Sequence, residues 1–151
     1  MTTFASVLAA LTRGRVDYLV VGGLAVARAG FARTTDDLDV LVEPSEPNLT
    51  RLLGVLAHFG DGSASELSPA DFTDDEGCIR IAEEFDLDVF TRMSGHTYTD
   101  LLALSDPHDI DGETVRFLNA AGLIRLKRAS LRPKDRLDVE ALQAILRGEH
   151  F

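Results

Sequence analysis

One segment constrains the fold more than any other: VDYLVVGGLAVARAG, residues 16–30, followed after six residues by DLDVLV, residues 37–42. Val16 to Val21 is rich in β-branched and aromatic residues and stops on Gly22-Gly23, which predicts a strand running into a tight turn. Leu24 to Ala29 are good helix formers, and Gly30 supplies a C-terminal stop. From Asp37 onward acidic and apolar residues alternate, so a second strand is expected, with an acidic face and an apolar one. Strand, glycine turn, helix and strand in succession open an α/β architecture.

The rest of the chain fits that frame. Phe4, Val7, Leu8 and Leu11 repeat at helical spacing, predicting an amphipathic helix over residues 4–13. Pro44 and Pro47 end the acidic strand, and Leu49, Leu52, Leu53 and Leu56 predict a helix over residues 48–58 packed on the sheet. Residues 60–77, GDGSASELSPADFTDDEG, are polar and aperiodic and are expected to form a surface loop. CIRIAEEFDLDVFTR predicts two short strands or one bent strand, followed by a short helix from Tyr98 to Leu104. ETVRFL, residues 113–118, reads as a further strand. Asn119 can cap a helix from Ala120 to about Ser130, and Pro133 takes the favoured first position of a last helix reaching about Leu146. The length of 151 residues suits one domain, 1–151, and no repeat or linker interrupts it.

Composition narrows the function classes. A formal net charge of −10 argues against broad binding to duplex nucleic acid, which needs clustered Lys and Arg to displace counterions. Positive charge is instead local: Lys127, Arg128, Arg132, Lys134 and Arg136 fall within ten residues. The single cysteine, Cys78, rules out an intrachain disulfide and a multi-cysteine zinc site. No apolar run approaches the roughly 20 residues of a membrane span, and no basic leader precedes the first helix, so a cytoplasmic protein without membrane contact is expected.

Chemistry concentrates in the acidic strand. Residues two apart in a strand share a face and lie about 6.6 Å apart, so Asp37 and Asp39 point one way while Leu38, Val40 and Val42 enter the core. Two carboxylates held so close repel unless a cation joins them, and hard oxygen donors favour Mg²⁺ or Mn²⁺. An edge strand with ordinary surface acids would carry the same three letters. The alternation recurs in EFDLDVF, where Asp86 and Asp88 share a face and offer a third carboxylate, Asp88 being the preferred choice. Gly22 and Gly23, between strand and helix, allow close backbone approach to a phosphate at a helix N-terminus. Arg33 can hold a phosphate or pair with a neighbouring acid. Lys127 shares a helix face with Leu123 and Ile124, a position explained equally by triphosphate contact and by a long side chain reaching past the core edge.

Taken together, VGG, a spacer of thirteen residues and DLDV resemble the signature of the polymerase-β-type nucleotidyltransferases. Within that superfamily, GGLAVARAGFARTTDDLDVLV and LIRLKRASLRPKDRLDVEAL look most like small bacterial proteins related to the abortive-infection (AbiEii-type) nucleotidyltransferase toxins. The resemblance implies a mixed β-sheet flanked by helices with a helical C-terminus, and a nucleoside triphosphate donor with Mg²⁺ or Mn²⁺. It implies transfer of a nucleoside monophosphate to an acceptor hydroxyl that it does not name: RNA, protein or a small molecule. By the same likeness Asp37, Asp39 and Asp88 would be catalytic and metal-binding, and Gly22 and Gly23 would meet the triphosphate. Lys127, Arg132 and Lys134 would add cationic contacts. A toxin–antitoxin setting with a partner protein from an adjacent gene is implied too. The competing readings are a small-molecule nucleotidyltransferase of the antibiotic-modifying kind and a non-catalytic, antitoxin-like module that binds a nucleotide or a partner.

Overall fold

The computed structural model describes residues 3–32, 34–59, 63–72, 78–82, 85–128, 130 and 132–148. Helix α1 (Phe4–Arg13) leads into β1 (Tyr18–Val21), α2 (Gly22–Ala29), β2 (Asp37–Val42) and α3 (Glu46–Leu56). Two 3₁₀ turns, Ser63–Glu66 and Pro69–Asp71, precede β3 (Cys78–Ala82) and β4 (Asp86–Phe90). Then come α4 (Tyr98–Leu101) with a 3₁₀ turn at Leu102–Leu104, β5 (Ser105–Ile110), β6 (Glu113–Leu118), α5 (Ala120–Lys127) and α6 (Pro133–Leu146). The strands form one mixed six-stranded sheet in the order β3-β4-β2-β1-β6-β5. Strand β1 runs antiparallel to β2 and parallel to β6, and β2 runs parallel to β4. The two outer pairs, β3–β4 and β5–β6, are antiparallel.

Local chemistry accounts for most of these elements. Thr3 and Ser6 make a reciprocal capping box at the start of α1, whose Val7, Leu8 and Leu11 stripe is fully buried. By register, Tyr18 and Val20 of β1 share the face of Val40 and Val42 of β2. The Tyr18 hydroxyl donates to the Leu8 carbonyl at 2.9 Å and lies 2.9 Å from Thr12 Oγ1, which fixes α1 against that face. Burial pushes the Tyr18 phenol up to about 12, although its hydrogen bond with Thr12 pulls the other way.

The sheet's centre is tied down by one buried amide. Asn48 on α3 is wholly buried, its Oδ1 accepting from the Asp17 backbone N–H at 2.8 Å. Its Nδ2 donates to the Asp17 and Glu43 carbonyls at 3.0 and 2.7 Å, so a single side chain joins the entry to β1 and the exit from β2.

Some limits shift, with α3 at Glu46–Leu56 rather than 48–58, β1 starting at Tyr18 rather than Val16 and Gly22-Gly23 opening α2, and three larger features depart from the sequence expectation. Strand β5 was not foreseen, because SDPHDI has neither alternation nor a strand-like composition; it is an edge strand, where Pro107 is tolerated and only Ser105 and Ile110 are buried. The described part of the polar loop contains two 3₁₀ turns and buries Ala64, so it is not wholly surface; residues 60–62 and 73–77 lie outside the described residues. The helix expected to reach Ser130 stops at Lys127.

Candidate active site

Strands β2 and β4 set the acids. Their parallel register pairs Asp37 with Asp86 and Asp39 with Asp88, and strands so paired lie about 4.8 Å apart. Leu38 and Val40, like Leu87 and Val89, turn to the opposite face and are buried, which leaves the aspartates together on the other. Asp37, Asp39 and Asp88 line one cavity of about 440 Å³; Asp86 does not reach it. Asp88 is almost fully buried, at 5% exposure, whereas Asp37 and Asp39 are half-buried.

The glycine turn meets these acids directly. Gly22 and Gly23 line the same cavity, at the start of α2, where Val21 provides no side-chain cap. Gly22 adopts φ +71°, and a β-carbon placed on it would run into the Asp39 carboxylate. Both its conformation and its lack of a side chain are therefore required for β1 to turn beside β2.

The opposite wall comes from α5 and α6. Lys127, with only 16% of its side chain exposed, places its Nζ 2.9 Å from Asp135 Oδ1 and 3.1 Å from Asp138 Oδ2. These carboxylates are 4% and 2% exposed. Asp135 also accepts from Ser130 Oγ at 2.7 Å and from Arg132 Nε at 2.8 Å, while Arg132 Nη2 lies 2.7 Å away. Burial alone would raise the Asp135 carboxyl, but hydrogen bonds from Lys127, Ser130 and Arg132 and the ammonium charge outweigh it, bringing it down to about 2. Arg132 and Lys134 are exposed and, with Lys127, line the cavity.

The structure thus brings Gly22, Gly23, Asp37, Asp39, Asp88, Lys127, Arg132 and Lys134 around one space. Arg33 lies outside the described residues. Sequence reasoning missed Phe90, Met93, Leu123 and Leu126, which give the cavity an apolar side, and Ser94 and Ser130, which also line it. It also missed Asp138. A usable signal existed: Asp135, Asp138 and Leu142 recur at helical spacing on the buried side of α6.

Among the described residues, no group of three His, Cys, Asp or Glu side chains is drawn together tightly enough to hold a metal ion unaided. The donors nevertheless suit Mg²⁺, which is commonly held by one or two carboxylates with substrate phosphates and water completing its shell. Asp37, Asp39 and Asp88 are hard oxygen donors on one cavity wall and fit that pattern.

The chain matches no family model and no curated protein by sequence. Solved structures do resemble it. A candidate nucleotidyltransferase from Thermotoga maritima superposes with a TM-score of 0.56 over 95% of this chain and 90% of its own, at 15% identity. An antigenic nucleotidyltransferase-like protein from Paracoccidioides brasiliensis gives 0.55 over 95% of this chain and 75% of its own, at 16% identity. The fold is that of the nucleotidyltransferase-type α/β proteins: a mixed sheet flanked by helices, with a helical C-terminus. Among the described residues, no helix is long and apolar enough to cross a membrane.

Proposed function

We propose that this protein is a metal-dependent nucleotidyltransferase, transferring a nucleoside monophosphate from a nucleoside triphosphate to an acceptor hydroxyl. One observation carries the reading: a single cavity collects a glycine turn, three aspartates from two adjacent parallel strands, and a cationic wall from the last two helices. Asp37, Asp39 and Asp88 would hold Mg²⁺ or Mn²⁺, which when bound supplies charge neutralisation along the triphosphate. Gly22 and Gly23 let the backbone approach the phosphates closely, and Lys127 with Lys134 and Arg132 faces them from the opposite wall. Asp88, buried beside Asp39 on the same cavity wall, would either share the cation or accept the proton of the acceptor hydroxyl. The acceptor oxygen then forms its bond to the α-phosphorus as the bond to the pyrophosphate oxygen breaks, and catalysis is largely positioning and electrostatics.

The acceptor is an RNA end, a protein hydroxyl or a small molecule. The resemblance of LIRLKRASLRPKDRLDVEAL to the abortive-infection toxins favours a toxin–antitoxin setting with a partner protein encoded nearby. The test is transfer of label from α-labelled triphosphate in the presence of Mg²⁺. Wild type should transfer, and the Asp37→Asn/Asp39→Asn variant should not while remaining folded by circular dichroism. Transfer by the double variant would overturn the assignment; tight nucleotide binding by wild type without turnover would favour the binding-module reading.

A further inference from the structure

An ammonium has three N–H donors. Lys127 donates one to Asp135 at 2.9 Å and forms an ion pair with Asp138 at 3.1 Å, carboxylates that are themselves nearly inaccessible to water, while the side chain still borders the cavity. Asp135 is in turn fixed by Ser130 and Arg132 from the α5–α6 connection. The cation is therefore not a long arm sampling solvent. Its terminus is held by two carboxylates one turn apart on the buried face of helix α6, and it keeps donor capacity for whatever the cavity contains.

We propose that Asp135 and Asp138 are positioning residues that hold the Lys127 ammonium toward the substrate's phosphate chain, an inference resting on the nucleotidyltransferase reading. The sign of one substitution separates this from simple electrostatics. Removing a negative charge beside an anion site strengthens anion binding if charge alone matters. If Asp138 instead holds Lys127 in place, the same change weakens it, because a lysine free to rotate spends its donors elsewhere.

The probe is inorganic tripolyphosphate, titrated calorimetrically against the full-length protein in metal-free buffer, so that the readout is independent of turnover. Asp138→Asn should bind about tenfold more weakly than wild type. Asp138→Glu, which keeps the charge but moves it, should also bind more weakly and guards against a folding defect in the first variant. In a Lys127→Met background, Asp138→Asn should cause no further loss, since its effect acts through the lysine. Unchanged or tighter binding by folded Asp138→Asn or Asp138→Glu, or an undiminished further loss in the Lys127→Met background, would overturn the positioning role. If wild type binds no tripolyphosphate without metal, or binds it and the variants match it, the positioning claim fails, whereas the nucleotidyltransferase reading stands or falls separately on Mg²⁺-dependent transfer of label.

Discussion

Gly22 has no room for a side chain beside Asp39. At φ +71°, with the Asp39 carboxylate where a β-carbon would go, Gly22→Ala should destabilise the fold by at least about 1 kcal/mol in urea unfolding and eliminate transfer activity. Asp135 gives a second residue-level test. Its folded-state carboxyl, near 2, lies below the ordinary value of 3.8, so its stabilising contribution is present above about pH 4 and is lost as pH falls through 2. That linkage amounts to about 2 kcal/mol, measurable by urea denaturation across this range, and Asp135→Asn should flatten the dependence. Asp37, Asp39 and Asp88 were legible in the sequence because strand alternation separates acids from core residues without knowledge of neighbours. Asp138 was not, because a buried acid on a helix looks like a surface acid until Lys127 is known to face it across the α5–α6 junction.

At the scale of elements, legibility followed burial pattern. Helices α1 and α6 and strands β2 and β6 match their expected limits, since each carries a clear periodicity or a proline or polar cap. Strand β5 failed because an edge strand buries too little to leave a pattern; its pairing with β6 is a tertiary fact. Helix α5 matters most to the site, as it carries Lys127 at its end and starts from Asn119, whose Oδ1 accepts from the Gly122 backbone N–H at 3.0 Å. Asn119→Ala should lower stability by about 1 kcal/mol in urea unfolding. Because the cap sits at the far end of α5 from Lys127, calorimetry on the folded variant should show tripolyphosphate affinity within twofold of wild type, a change of under about 0.5 kcal/mol.

Across the whole molecule, the cavity draws Gly22 from the start of α2, Asp39 from β2, Asp88 from β4 and Lys127 to Asp135 from α5, α6 and their connection. The strand pairs β2–β4 and β1–β6 are parallel and so cannot close through hairpins, which makes the site a product of long-range assembly. In refolding experiments, tripolyphosphate binding should therefore recover only with the slowest phase of tryptophan-free far-ultraviolet signal, and an earlier return of binding would count against this order. The same layout bears on synthesis. Residues 37, 39 and 88 precede residues 127–138 in the chain, so the three acids are synthesised first and the cavity gains its second wall only once the last two helices have packed.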